Sequence, residues 1–309
     1  MKKGFSTYLV AKYRNNNLKW RVPTAMLAGI ALLFAFQGFS RADDDHRANA
    51  ITDCKIISEP GRYFLANDLK PCLNSALSIT VDDVAIELRG HTILGPGSSS
   101  NIVLINANGG TTGLSNIEIE GPGTLTGGSV GVLFQNVHHS RVNNLVVVGN
   151  AFGIFVAGTV VVPGNNFGTM VKAADLRSVR TIAATESTDN EFRDNVVTGQ
   201  TINGVTVFGA NQNRFIHNNL SGNGLSTNGL CTNGCYGLLF LNANNNIARH
   251  NTADSNVGFG IDVLGSRNII DDNIALGNSL TDLRDEIGDC MNNRWTDNSF
   301  NSNFPACIQ

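Results

Sequence analysis

Charge is scarce in this sequence. Only 15% of its 309 residues are charged, and 22 Lys and Arg against 25 Asp and Glu leave a formal net charge of −3. Phosphate binding needs a concentrated basic surface, so a nucleic-acid partner is not expected. Long apolar runs are scarce too. Beyond residue 42 no stretch is long and apolar enough to span a bilayer. What the sequence has instead is 33 Gly and 40 Asn. That usage implies many turns, and many turns imply many short strands. Val, Ile, Leu and Phe recur between the asparagines throughout, which excludes a disordered Asn-rich tract. At 42% hydrophobic residues the chain can build a long core.

The one long apolar stretch, Val22 to Phe39, follows a basic segment with Lys2, Lys3, Lys12, Arg14, Lys19 and Arg21. Ser40-Arg41-Ala42 then offers a small-x-small cleavage site. Residues 1–42 read as a signal peptide, with an uncleaved anchor as the other reading, 43–50 as a linker and 51–309 as one folded domain. The chain is then secreted or periplasmic. All six cysteines lie beyond the cleavage site, as an oxidising compartment favours. Locality pairs Cys54 with Cys72, Cys231 with Cys235 and Cys290 with Cys307. The first and last bridges would clamp a cap at each end of the domain, residues 51–75 and 285–309, by about 2–4 kcal/mol each. A zinc site is the competing use of Cys231-x3-Cys235, but its partner ligands are missing. No cofactor is implied, with a metal ion left open, and the domain is expected to be a monomer.

Internal repetition decides the fold class. Asn190-Glu-Phe-Arg-Asp-Asn195, Asn213-Arg-Phe-Ile-His-Asn218, Asn246-Ile-Ala-Arg-His-Asn251, Asn268-Ile-Ile-Asp-Asp-Asn273 and Asn293-Arg-Trp-Thr-Asp-Asn298 align. Gln200, Asn223, Asn256, Asn278 and Asn303 follow five residues later. The second Asn recurs at steps of 23, 33, 22 and 25 residues. Apolar residues alternate with polar ones, the period of a strand. Three short strands per repeat, each stacked in parallel on the next, make an all-β solenoid: a single-stranded parallel β-helix of eight or nine coils. Asn195, Asn218, Asn251, Asn273 and Asn298 would form a structural ladder, each inward amide satisfying corner backbone groups and the Asn one rung away. Asn also tolerates the left-handed backbone that corners can need.

The segment Cys54–Cys72 (CKIISEPGRYFLANDLKPC), then ITVDDVAIELRGHTILG from Ile79 to Gly95, then the Asn-x4-Asn coils, resembles bacterial right-handed parallel β-helix proteins. These include the pectate-lyase-like superfamily and the NosD-like periplasmic group, and the resemblance covers nearly the whole mature chain. It implies polysaccharide lyases, hydrolases, epimerases or non-catalytic binders. The polygalacturonase-like set (Asn-Thr-Asp, Asp-Asp, Gly-His-Gly, Arg-Ile-Lys) is missing apart from Asp271-Asp272, which belongs to the repeat. Fold alone does not assign the reaction.

Two insertions break the repeat, at 157–189, carrying Lys172, and at 224–235. They would flank one sheet from opposite sides and make a groove. Outward residues there should be Phe155, Thr206, Leu239, Asp262 and Arg284, over about 19 Å. Phe155 would stack on a sugar, with Thr206, Leu239 and Lys172 as further substrate contacts and Asp262 and Arg284 as catalytic candidates. A second candidate set lies beside the ladder: His217 and His250 on successive coils, and Arg249 beside Asp271. A lyase needs a base and a cation for the uronate. A hydrolase needs two carboxylates, for which Asp254 and Asp271 are conceivable. Two functions therefore stand: a polysaccharide-acting enzyme of lyase, hydrolase or epimerase type, and a non-catalytic carbohydrate-binding or structural surface protein. In the second, the same side chains are corner residues and a solvated face.

Overall fold

The structure is a computed structural model that describes residues 48–158, 186–225, 231, 235–288 and 290–309. The signal segment, most of the linker and the greater part of both insertions, including Lys172, lie outside the described residues. Among the described residues there is no helix, and every strand pairing is parallel. Two ten-stranded sheets run the length of the solenoid. Sheet one starts at Asn49–Ile51 and ends at Arg294–Thr296; sheet two starts at Lys55–Ile57 and ends at Asn303–Phe304. The third face is a four-stranded sheet, Thr92–Leu94, Thr124–Thr126, Val146–Val148 and Val196–Thr198. It continues through single bridges at Asn219 and Thr252 to Ile274–Ala275 and Ser299–Phe300. The ten strands of each long sheet, less the two-stranded opening turn, make nine complete coils among the described residues. Sheet one takes up Asn49 and Ala50, so the solenoid begins inside the segment read as linker.

The alternation seen in the sequence works as strand alternation should. Val142, Phe192, Phe215, Ala248, Ile270 and Trp295 occupy one inward column of sheet one, in direct register. The rings of Phe192 and Phe215 stack at 4.9 Å, 6° from parallel. Val147, Val197, Leu220, Ala253 and Ala275 are the buried inward residues of the third face. Each fully buried Phe, Leu or Ile contributes about 1.5–3 kcal/mol of transfer free energy. Each coil buries its apolar faces against only two neighbours.

Three amide ladders stitch the corners. One runs Asn190–Asn213–Asn246–Asn268–Asn293, the second Asn195–Asn218–Asn251–Asn273–Asn298, and the third Gln200–Asn223–Asn256–Asn278 with Asn150 on the coil before. All three have one direction. From Asn190, Asn195 and Asn223 onward each Nδ2 donates to the Oδ1 of the next coil, and each Oδ1 also accepts that neighbour's backbone N–H. Asn150 Nδ2 and Gln200 Nε2 donate instead to backbone carbonyls, and only their backbone N–H groups reach the next amide oxygen. A directional ladder ends on a donor that needs an acceptor. Asp282 accepts the N–H and Nδ2 of Asn278 at 2.9 and 2.8 Å. Asp285 accepts Asn293 Nδ2 and Trp295 Nε1, both at 3.0 Å, and the Gln309 carbonyl accepts Asn298 Nδ2 at 3.0 Å.

The left-handed corner belongs to a different residue than the sequence suggested. The ladder asparagines have ordinary φ; in the second ladder the residue before each, Asp194, His217, His250, Asp272 and Asp297, carries φ between 53° and 56°, as does Asn144 one coil earlier. A second such column precedes the first ladder and includes His139, Asp189, Gln212, Asn245 and Arg267. Asn, Asp and His are the non-glycine residues most tolerant of this region. A third constraint is space. A Cβ on Gly237 would lie 2.7 Å from Asn256 Nδ2 and 2.8 Å from Gly260 O, so only glycine lets the ladder close on sheet two.

The two terminal segments are themselves coils. Gly61–Leu65 and Leu77–Ile79 lie in the first, near Cys54–Cys72; Arg294–Phe304 forms the last, with Cys290–Cys307 tying down a tail whose Ile308 is buried. Cys231–Cys235 is also bonded. The first insertion is shorter than the sequence implied. Phe152–Ala157 is still a strand, and the coil has resumed by Ser187 and Thr188, the latter bridging His138 and Asn211. The second ends where the strand Cys235–Leu241 begins.

Candidate functional site

The expected column on sheet two exists as a register: Phe155, Thr206, Leu239, Asp262 and Arg284 are successive partners. Its environment differs from the expectation of an open groove. Phe155, Thr206, Leu239 and Asp262 are all buried. Phe155 and Leu239 belong to a second apolar cluster, separate from the main core, with Phe152, Phe208, Tyr236 and Phe259. Phe152 meets Phe155 edge-on at 5.6 Å. Thr206 Oγ1 is taken by Asn203 Nδ2 at 3.0 Å. The face is aromatic and aliphatic rather than polar, and Phe155 is buried in it rather than exposed as a sugar platform.

Polar chemistry concentrates at the C-terminal end of this face. Arg284 donates to Asp262 through Nε at 2.7 Å and through Nη2 at 2.5 Å, a two-pronged pair. The same Nη2 donates to Glu286 Oε1 at 2.7 Å. The guanidinium lies 3.6 Å from the ring centre of Phe259, which stacks on Tyr236 at 5.4 Å. Burial pushes the Asp262 carboxyl up to about 7; Arg284 opposes that shift, and the charge and hydrogen bond of Glu286 reinforce it. Glu286, Tyr236 and Phe259 were not singled out from the sequence. The available signal was spacing: Glu286 follows Arg284 by two, hence points to the same side, and Tyr236 and Phe259 are register partners.

The second candidate set divides between corner and face. His217 and His250 are neighbours, ring centres 5.0 Å apart, and both sit at left-handed corners. His217 Nδ1 lies 3.5 Å from Asp194, and His250 Nδ1 lies 2.9 Å from Asp272. Arg249 Nε donates to Asp271 at 2.8 Å on the outer face of sheet one. The Thr296 hydroxyl and then Arg249 and Arg294 hold the Asp271 carboxyl below the usual carboxylate range. Asp254 is not brought to Asp271. It follows Thr252 on the third face and accepts the N–H of Leu276 at 2.7 Å. Among the described residues no group of three His, Cys, Asp or Glu is placed to hold a metal ion. Nor, among them, is any helix long and apolar enough to cross a membrane.

No family model matches the sequence, and no curated protein matches it. The enzymatically active domain of tailspike protein 2 of bacteriophage CBA120 superposes with a TM-score of 0.50 at 12% identity, over 84% of this chain and 38% of that one. It is a right-handed parallel β-helix. The β-helix spans under two-fifths of that tailspike domain. The Azotobacter vinelandii mannuronan C-5 epimerase A-module aligns at 10% identity and a TM-score of 0.41, over 81% of this chain and 80% of that one. The Dettilon tailspike aligns at 13% and 0.38, over 82% and 60%. At 12% identity the superposition on tailspike protein 2 speaks to the fold alone.

Proposed function

We propose that this β-helix is an exported, polysaccharide-associated protein that works as a rigid binding platform, without turnover at the sheet-two cluster. One observation carries this reading: each catalytic candidate of the two sets is already engaged by a neighbouring side chain. Arg284 is committed to Asp262 and Glu286, so it has no charge to spare for a uronate, and β-elimination needs that cation. Asp262 and Glu286 accept from one and the same Arg284 nitrogen, Nη2, whereas glycoside hydrolysis needs two carboxylates set about 5–5.5 or 6.5–9.5 Å apart across the scissile bond. His217 and His250 each face an aspartate at a corner whose backbone already accounts for their presence. Three disulfides within the domain support export, because such bridges persist in oxidising compartments.

A second reading keeps the cluster as an acid–base centre, on the observation that the Asp262 carboxyl is poised near neutrality. One experiment separates the two. The full chain is incubated with alginate, polygalacturonate and neutral glucans. Retention on immobilised glycan, the ultraviolet absorbance of an unsaturated product and the release of reducing ends are all followed. Retention without either product supports the platform. Turnover abolished by Glu286→Gln refutes it in favour of the second reading. No retention on any glycan refutes the polysaccharide association itself.

A further inference from the structure

The outer face of sheet one carries a line of arginines that the sheet-two candidates do not involve. From the strand Arg141–Asn143 to the strand Arg294–Thr296 the outward residues in register are Arg141, Glu191, Arg214, Ile247, Ile269 and Arg294 in one column. The adjacent column holds Asn143, Arg193, Ile216, Arg249, Asp271 and Thr296. Five guanidiniums meet two carboxylates there, and Glu118 lies 4.0 Å from Arg141 at the end of the strip, so five minus three leaves two positive charges in surplus. Glu191 is shared among Arg141 at 3.9 Å, Arg193 at 3.0 Å and Arg214 at 3.7 Å. Asp271 is shared between Arg249 at 2.8 Å and Arg294 at 3.9 Å. The five arginine side chains are 34% to 62% exposed, so each keeps N–H donors turned to solvent.

We infer that this strip binds a single extended chain of an acidic polysaccharide, lying along the solenoid axis. The inference rests on the polysaccharide reading above and adds the face and the charge class of the ligand. Six rungs span about 24 Å and two outward columns about 7 Å. The strip is therefore under about 200 Å² in area, far short of the roughly 800 Å² per partner of a stable protein interface. Its shape suits one polymer strand. Its charge selects an anion, and a fork-shaped guanidinium pairs with a planar carboxylate or a sulfate in two-point fashion. The borders confine the ligand to the centre line. Glu118 and Glu120 close one end, Asp194, Asp272 and Asp297 edge one corner with His217 and His250 held against the first two, and Asp189 and Arg267 edge the other. The aspartates along the first corner disfavour drift of an anion to that side while the central guanidiniums attract it.

The test uses the full chain, with alginate and polygalacturonate as acidic probes, dextran as a neutral one and single-stranded DNA as a non-glycan polyanion. Binding to the acidic glycans is expected to weaken as salt rises. In the triple variant Arg214→Gln, Arg249→Gln, Arg294→Gln it is expected to fall by about tenfold or more, and the corresponding triple Lys variant is expected to recover most of the loss. Unchanged thermal midpoints would show that both variants fold. Acidic glycan bound equally by wild type and triple Gln variant overturns the strip and leaves the polysaccharide association standing. Equal affinity for dextran overturns the charge argument alone. DNA bound more tightly than either acidic glycan overturns the ligand class. No binding to any glycan removes both this inference and the reading it rests on.

Discussion

Two alanine substitutions in the same ladder separate the number of hydrogen bonds from their burial. In the middle of the stack, Asn218 Oδ1 accepts the N–H and Nδ2 of Asn195, both at 3.0 Å. Its Nδ2 donates to Phe192 O and Asn251 Oδ1, both at 2.9 Å. At the open end, Asn298 Oδ1 accepts the N–H and Nδ2 of Asn273, and its Nδ2 donates to Ile270 O and Gln309 O. Each substitution deletes four bonds. Four net bonds at about 1 kcal/mol each come to about 4 kcal/mol. In Asn218→Ala the Asn195 N–H is also stranded inside the protein, while Asn195 Nδ2 keeps Val142 O and Asn251 Oδ1 keeps the backbone N–H of residue 218. A stranded buried donor adds about 1–3 kcal/mol, so the expected loss is about 5–7 kcal/mol. In Asn298→Ala water reaches the vacated partners at the end of the stack and replaces most of the bonds, leaving about 1–2 kcal/mol. Urea unfolding followed by far-ultraviolet circular dichroism measures both differences, with the m-value reporting whether the transition stays cooperative. Equal losses in the two variants, or a loss under about 1 kcal/mol for Asn218→Ala, would refute the argument that buried backbone satisfaction is what the ladders supply.

Three further outcomes are expected. Burial and Glu286 raise the Asp262 carboxyl to about 7 against an ordinary 3.8. Between those values the folded protein holds a proton that the unfolded chain has released. This group's stabilisation is therefore complete below about pH 4 and lost as pH rises through 7. Thermal midpoints of wild type and Asp262→Asn measured at pH 5 and pH 8 should show a smaller drop in the variant; an equal drop contradicts the assignment. His217 sits at a φ of 56°, so His217→Asn should lie within about 0.5 kcal/mol of wild type. His217→Val should cost about 1–2 kcal/mol, and chemical denaturation gives both. Gly237→Ala drives a Cβ into Asn256 Nδ2 and two backbone carbonyls and should cost about 3 kcal/mol or more. Gly222→Ala, with φ of 66° and open space around it, should cost about 1 kcal/mol. A Gly237→Ala protein as stable as the Gly222→Ala protein would remove the steric reason for the glycine column.

The sequence made the stack legible because a solenoid turns a one-dimensional period into a spatial neighbour. Asn195, Asn218, Asn251 and Asn273 differ by unequal steps of 23, 33 and 22 residues yet hydrogen-bond in order, and within the longer step the chain is back in the stack by the strand Cys235–Leu241. The register of Thr206, Leu239, Asp262 and Arg284 was readable for the same reason. Exposure was not. Outward on a strand means away from the main core, and whether water is found there depends on what else packs onto that side. The column pattern of Phe152, Phe155, Phe208 and Leu239, apolar at outward positions, was the sign that it is not.

The polar corner residues misled for a related reason. Pairs such as His217 with Asp194, or His250 with Asp272, have the composition of an acid–base site, and the rung spacing brings them within 3.5 Å. A corner that demands positive φ selects Asn, Asp and His from the whole alphabet, and stacking then places those residues against one another on every coil. In a β-helix, therefore, a titratable pair at a left-handed corner arises from backbone geometry alone. The informative charges are those at positions where the backbone imposes no choice. On this molecule these are Asp262, Arg284 and Glu286 on sheet two and the arginines of sheet one, all on strands or directly after them with ordinary φ, where any β-former would have served. The sheet faces carry those charges, and His217 and His250 belong to the architecture of the corner.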